Sequence, residues 1–142
     1  MDAAQVIDEL GMSPHPEGGH YVETWRGPDG PDGRAVATAI YFLLRRGERS
    51  HWHRVDAEEV WLHHAGDSLL LEIADGRGDV VTHTLSSAVT DGARPQAVVP
   101  THAWQAAETT GAWTLVSCVV APGFDFGGFE LAPPGWSPGG EG

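Results

Sequence analysis

Lysine is absent from this chain of 142 residues, and cysteine occurs once. Without a lysine, the chain has neither a Schiff-base amine nor the phosphate-binding lysine of a P-loop. The single Cys118 cannot form an intramolecular disulfide, and its apolar surroundings in WTLVSCVVA are typical of a small buried side chain. The composition therefore excludes two classes of enzyme and a disulfide-bonded scaffold.

Positive charge is also scarce. Eight arginines are outnumbered by twenty Asp and Glu residues, which gives a formal net charge of -12 at pH 7. A negative field of this size repels the phosphate backbone of nucleic acids and the surface of anionic membranes. We therefore expect a small molecule as the partner, and neither a nucleic acid nor a membrane.

Long hydrophobic runs are missing too. No stretch approaches the roughly 18 consecutive apolar residues of a membrane-spanning helix. The first residues, MDAAQVIDELGM, carry acids where a secretory signal would carry basic residues. We expect a cytoplasmic protein with one globular domain, because 41% of the 142 residues are hydrophobic and a chain of this length typically builds one core.

The N-terminal segment DAAQVIDELG predicts one short helix. Asp2 and Gln5 have the spacing of a capping box, three apolar residues follow at helical spacing, and Gly11 is a typical helix end. The next segment, HPEGG, has the prolines and glycines of a turn, and HYVETW after it favours a strand.

From Ala35 onward the chain alternates short β-prone runs with turn residues, which predicts an all-β sandwich or barrel. These runs are AVATAIYFLL, SHWHRV, EEVWLHH, SLLLEIA, DVVTHTL, QAVVP, HAWQAA and WTLVSCVVA. We expect one domain over residues 1–131 and a loosely ordered Pro- and Gly-rich tail over residues 132–142. GRGD, Gly76 to Asp79, is interpreted as a hairpin turn and not as an adhesion motif.

The segment SHWHRVDAEE contains a possible metal site. Side chains on a strand alternate between faces, so His51 and His53 should project to the same side. Two imidazoles and a carboxylate from Glu58 or Glu59 can hold Fe, Mn, Ni or Zn and leave positions open for a substrate. The alternative is a solvated strand face that is rich in histidine, because a His-x-His pair alone matches many sequences by chance.

Five residues in and around this segment resemble the first motif of the cupin superfamily, which consists of a glycine, His-x-His, a glutamate and a further glycine. They are Gly47, His51, His53, Glu59 and Gly66. The gap before His51 is shorter than usual and the gap before Glu59 is longer, whereas the gap between Glu59 and Gly66 matches and favours Glu59 over Glu58.

The second cupin motif is matched in part by PTHAWQ. Pro100 fits, but His102 occupies the glycine position and Gln105 occupies the position of a histidine. The resemblance implies that the metal ligands would be His51, His53 and Glu59, with the amide oxygen of Gln105 as a weaker fourth ligand.

Several segments are similar, in order, to the signatures of one cupin branch, a domain of unknown function also called cupin family five. They run from about Leu10 to Leu131 and include HPEGGHYVETWR, ATAIYFLL, SHWHRVDAEEVW, VVPTHAWQAA and LVSCVVAPGFDFGGFEL. The resemblance implies a double-stranded β-helix jelly roll that commonly forms homodimers, with a glutamine usual at position 105. Leu62, His63, His64 and His102 differ from the branch.

Further pocket residues are predicted from the strand register. Glu59, Trp61 and His63 share one face, so His63 is a candidate acid or base, or else a hydrogen-bonded residue of the barrel wall. Tyr41 is a second catalytic candidate through its phenol. The predicted substrate-binding residues are Glu17, Tyr21, Trp61 and Phe124. For His15 and Glu17 in HPEGG, a structural clamp and a place at the pocket rim both stay open.

Two classes of function follow from these observations. The first is a divalent-metal enzyme acting on a small polar metabolite, as an isomerase, epimerase, lyase or dioxygenase. The second is a metal-free module that binds a sugar or nucleotide-sugar-like ligand, or an epimerase-like protein, using the same pocket.

Overall fold

The computed structural model describes residues 1–74 and 79–139. Within these ranges the chain forms eleven β-strands, one α-helix and one short 3-10 helix. In chain order they are α1 (Ala3–Leu10), β1 (Ser13–Pro14), β2 (His20–Arg26), β3 (Thr38–Arg45), β4 (Ser50–Val55), β5 (Glu58–Gly66), β6 (Leu69–Ala74), β7 (Val80–Leu85), β8 (Gln96–Val99), β9 (Trp104–Thr109), β10 (Trp113–Ala121), the 3-10 helix (Phe126–Gly128) and β11 (Phe129–Leu131).

The strands form two antiparallel sheets that enclose the core. One sheet has the order β1-β2-β3-β10-β5-β8, and the other has the order β11-β4-β9-β6-β7. Phe42 and Trp61 from the first sheet pack against Leu71 and Ile73 from the second, because each strand turns alternate apolar residues inward. The predicted all-β jelly roll with a short N-terminal helix is confirmed.

Helix α1 begins and ends where its sequence indicates. The Asp2 side chain accepts a hydrogen bond from the Gln5 backbone N–H at 2.9 Å, and the Gln5 side chain accepts one from the Asp2 N–H at 2.8 Å. Gly11 ends the helix in the left-handed conformation, with φ +67°. Val6 is buried against Leu43, so the helix covers part of the outer face of β3.

The predicted runs from Ala35 onward each contain a strand, and HYVETW lies in β2. β1 and β11 lie outside the predicted runs, because two and three residues are too few to show a periodicity. The HAWQAA strand starts at Trp104 instead of His102, because His102 has φ +67° and lies in a turn. None of the helices in the described ranges is long and apolar enough to cross a membrane.

The described part of the C-terminal tail lies against the outer face of the five-stranded sheet. Ala132 is buried, and the Trp136 ring is centred 4.5 Å from that of Trp104 and 6.5 Å from that of Trp52. In the GRGD segment, residues 76–78 lie outside the described residues, so its interpretation as a turn stays a prediction.

Candidate functional site

A cavity of about 490 Å³ opens at one end of the barrel, between the two sheets. This volume is in the range of pockets that hold small ligands. Its base is made of buried polar side chains, and its mouth is made of more exposed charged and aromatic ones. The polar and aromatic residues of its wall are His15, Glu17, Tyr21, Glu23, Arg26, Asp29, Arg34, Thr38, His53, Glu59, Cys118, Phe124, Asp125 and Phe126.

The HPEGG turn brings His15 and Glu17 to the base of the cavity. The N–H of His15 donates to the Gly19 carbonyl at 2.9 Å, and the Gly18 N–H donates back to the His15 carbonyl at 3.0 Å. Gly18 has φ +109°, and the place of a Cβ there is taken by the Arg49 carbonyl oxygen. The turn is therefore both a tight structural bend and a part of the pocket, which are the two roles that the sequence left open.

The Glu17 carboxyl group lies among neutral partners. His53 Nε2 is 3.4 Å from its Oε2, His15 Nδ1 is 3.3 Å from its Oε1, and the Ser50 hydroxyl forms a short hydrogen bond with it. His15 Nδ1 accepts the Glu17 backbone N–H at 3.1 Å, and His53 Nδ1–H donates to the His51 carbonyl at 2.7 Å. Both imidazoles therefore direct a lone pair toward Glu17, which favours the protonated carboxyl group.

Burial acts on the two carboxyl groups and the two imidazoles at the base in the direction of the neutral form. Desolvation raises the pKa of Glu17 to about 8, and it raises the pKa of Glu59 to about 7. Desolvation also lowers the pKa of His15 to about 4 and lowers the pKa of His53. Near neutral pH the base therefore carries acids and bases that can exchange protons, instead of fixed ion pairs.

A bulge in β4 separates the two histidines that were predicted to share a face. The pairing of β4 with β9 changes register between Ser50 and His53, so both of these residues turn inward. His51 is only half buried, and its Nε2 donates to the Pro133 carbonyl at 2.9 Å. The prediction that His51 and His53 project to the same side is therefore wrong.

Gln105 supports Glu59 and presents no oxygen to the cavity. Its Oε1 accepts the Trp61 indole N–H at 2.8 Å, and its Nε2 donates to Glu59 Oε1 at 2.9 Å. Because an indole is only a donor, this bond fixes the orientation of the amide. Trp61 is thus a buried support of Glu59 and does not line the cavity wall.

The predicted ligand set does not fit a metal ion in this geometry. His51 is turned to Pro133, and the Gln105 oxygen is occupied by Trp61, so that its NH2 group faces Glu59. Over residues 1–74 and 79–139, no group of three or more His, Cys, Asp or Glu side chains has the arrangement of a metal site. The donor atoms of this ligand set therefore do not converge on one point that a metal ion could occupy.

The two predicted catalytic residues lie away from the cavity. His63 Nε2 donates to the Asp67 carbonyl at 2.9 Å and its Nδ1 is 2.9 Å from Ser87 Oγ, so both ring nitrogens are occupied by structural bonds. Tyr41 packs on the outer face of the sheet, beside helix α1 and the ring of His64. The reason is the alternation of β3, which turns Phe42 inward and Tyr41 outward.

Three predicted substrate-binding residues do line the cavity: Glu17, Tyr21 and Phe124. Sequence reasoning missed Ser50, whose inward position depends on the bulge. Cys118 is buried as expected, but it also lies at the cavity wall, where its thiol donates a hydrogen bond to the Glu59 carboxyl group. The alternation of β10 places it on the inner face between Val116 and Val120, and that pattern was the available signal.

One protein-family model matches most of the length of the chain. A model described as Cupin superfamily (DUF985) matches residues 4–132. A comparison with curated proteins gives no match.

The solved structures that resemble this fold include two with more than 30% sequence identity and others with much lower identity. A protein from Shewanella oneidensis is 38% identical with a TM-score of 0.89, covering 93% of this chain and 85% of that one. A hypothetical protein from Leishmania major is 33% identical with a TM-score of 0.84, covering 93% and 88%. A Bacillus subtilis oxalate decarboxylase variant is 13% identical with a TM-score of 0.64, and the match covers 84% of this chain and 29% of the decarboxylase chain. At this identity the likeness concerns the fold alone.

Proposed function

The chain belongs to the cupin superfamily, in the family described as DUF985, and from the contents of its cavity we propose that it binds a small polar metabolite there and acts on it by acid–base catalysis. One observation carries this proposal. Two buried carboxyl groups, Glu17 and Glu59, line one cavity with two buried imidazoles, His15 and His53. Clusters of this kind, with perturbed pKa values inside a cleft, mark functional sites.

Each group has a proposed role that its contacts support. Glu17, whose pKa is raised to about 8, is the acid that donates a proton to the ligand, and the lone pair of His53 Nε2, 3.4 Å from Glu17 Oε2, favours the protonated carboxyl group before the transfer. Glu59, whose pKa is raised to about 7, is the base, because a useful fraction is ionised near neutral pH. Trp61 and Gln105 position Glu59 through their hydrogen bonds.

No step of the proposed reaction uses a metal ion, because the donor atoms of the sequence-predicted set face different partners. The Fe, Mn, Ni or Zn hypothesis therefore requires a rearrangement of His51 and Gln105. The metal-free binding module is the remaining alternative, in which the same cavity holds a sugar-like ligand without a proton transfer.

Exchange of carbon-bound hydrogen with solvent tests the acid–base proposal. Sugars, sugar acids and small hydroxy and amino acids would be incubated with the protein in D2O and followed by proton NMR. We expect the wild-type protein to incorporate deuterium next to a carbonyl or carboxyl group of at least one compound. The Glu59→Gln variant should be slower by roughly 100-fold to 10,000-fold, the usual contribution of a general base.

The matched control is His64→Gln. His64 is exposed on the outer face of the same strand, where its Nε2 contacts Ser117 Oγ at 2.5 Å. The His64→Gln variant should catalyse deuterium incorporation at the wild-type rate. A panel without any exchange in the wild-type protein, or a Glu59→Gln variant of undiminished rate, would overturn acid–base catalysis, and binding without exchange would favour the binding module.

A further inference from the structure

We propose that the ligand of this cavity is a small organic cation, which carries an ammonium group between the acidic and aromatic side chains of the mouth. This inference rests on the proposed function, since it names the ligand class of the same cavity. It depends on three features of the wall: an excess of carboxylates at the mouth, two arginines that are already paired, and aromatic rings, of which Phe126 is exposed.

Negative charge dominates the mouth of the cavity. Asp29 and Asp125 lie there, together with Glu23, which is paired with Arg26. Glu17 and Glu59 lie at the base, where their raised pKa values make them hydrogen-bonding groups more than fixed charges. Within the described residues, Glu59 is 7% exposed and accepts hydrogen bonds from the Gln105 amide and from the Cys118 thiol, which is a weak donor. Its carboxyl group therefore keeps capacity for a donor on a ligand, and an ammonium group is a donor without acceptors.

The two arginines of the wall are both neutralised by neighbouring carboxylates. Arg34 donates to Asp56 through both terminal nitrogens, at 3.0 and 2.8 Å, and through Nε to the Gly123 carbonyl at 2.6 Å. Arg26 donates to Glu23 at 2.8 Å and to the Phe124 carbonyl at 3.3 Å. With no lysine in the sequence, the wall offers an anionic ligand such as a phosphate or carboxylate no uncompensated positive charge.

Aromatic rings complete the mouth. Phe126 is 53% exposed although it is a large apolar residue, and its ring lies 4.8 Å from that of Phe124 at an angle of 87°. Tyr21 supplies a third ring to the wall. The face of an aromatic ring attracts a cation within about 6 Å, so these rings and the carboxyl groups favour the same ligand charge.

Three sugars of matched size test the charge preference by isothermal titration calorimetry at pH 7 and low salt: glucosamine, glucose and glucuronate. We expect glucosamine to bind about tenfold or more tightly than glucuronate, with glucose between them, because one cation–π contact and one carboxylate together exceed the roughly 1.4 kcal/mol that corresponds to tenfold. Tighter or equal binding of glucuronate, or an absence of glucosamine binding, would overturn the proposal.

The Glu23→Gln variant makes the test sharper, because it leaves the Arg26 guanidinium without its carboxylate. Glucosamine should bind several-fold more weakly to this variant, and glucuronate should bind several-fold more tightly. Glu9→Gln removes the same charge from an exposed site on α1 and should change neither affinity. An unchanged ratio in Glu23→Gln would count against the cation. If glucuronate binds as tightly as glucosamine, only the cation proposal fails. The acid–base function is tested independently by deuterium exchange.

Discussion

The protein is expected to lose stability as the pH rises from about 6.5 to about 8. Burial raises the pKa of Glu17 from 4.5 to about 8 and the pKa of Glu59 from 4.5 to about 7. In this window the unfolded chain has released both protons, while the folded protein still holds the proton of Glu17. Because the unfolded state binds fewer protons, the free energy of unfolding falls as the pH rises.

The buried imidazoles act in the opposite sense at lower pH. Burial lowers the pKa of His15 from 6.5 to about 4. Between pH 4 and pH 6.5 the unfolded chain therefore binds a proton at His15 that the folded protein does not bind. His53 has a pKa lowered by the same cause. These contributions oppose those of the two carboxyl groups below pH 6.5, and the decline due to Glu17 is therefore best measured above it.

The size of the decline follows from the width of the window. Glu17 alone contributes about 2 kcal/mol between pH 6.5 and pH 8, since one pH unit corresponds to about 1.4 kcal/mol. For a domain of this length that is a fall of about 6 °C in the unfolding temperature. Calorimetric or circular-dichroism melting at pH 6.5 and pH 8.5 measures it directly.

The matched variants are Glu17→Gln and Glu9→Gln. A glutamine at position 17 has no proton to lose, so most of the decline should disappear, whereas the exposed Glu9 on α1 should leave it unchanged. A Glu17→Gln variant with the full wild-type decline would show that Glu17 is not the buried acid.

Gly18→Ala is expected to destabilise the protein by about 4 kcal/mol or more, among the largest effects of a single methyl group. At φ +109° an L-residue is strained, and the added Cβ would overlap the Arg49 carbonyl oxygen, which is backbone and cannot rotate away. The variant should also displace Glu17, whose carbonyl accepts the His51 N–H at 2.8 Å. Urea unfolding of both proteins gives the difference in free energy.

Gly47→Ala separates the overlap from the backbone strain. Gly47 also has positive φ, +85°, but a Cβ there would meet no atom within 4 Å. Its cost should therefore be only about 1 kcal/mol, the strain of a left-handed alanine. If Gly18→Ala unfolds at the same urea concentration as Gly47→Ala, the close approach of HPEGG to the backbone of Arg49 does not contribute to stability. If it yields no folded protein while Gly47→Ala folds, the expectation holds.

The fold could be predicted from local patterns, because each strand is a short run with its own alternation. The register also placed Glu59 and Trp61 on the inner face correctly, since β5 pairs regularly around them. The helix cap formed by Asp2 and Gln5 depends on residues only three positions apart in the sequence, and it was predicted in full.

The site could be predicted only in part, because three of its features depend on distant partners. The β4 bulge, which exchanges His51 for Ser50 on the inner face, is defined by pairing with β9. The amide orientation of Gln105 is fixed by Trp61, 44 positions away. Glu17 was proposed for the pocket, but its pairing with His53 requires the HPEGG turn to fold onto β4.

The central claim is that Glu17 and Glu59 are proton-carrying groups of one cavity. Titration of the protein with ¹³C-labelled glutamate side chains, followed by carboxyl NMR and assigned with Glu17→Gln and Glu59→Gln, tests it most directly. We predict two carboxyl resonances with midpoints near pH 8 and pH 7 that stay in place when Zn²⁺ or Ni²⁺ is added. Midpoints near the ordinary 4.5, or midpoints that drop sharply on addition of either metal, would contradict the account.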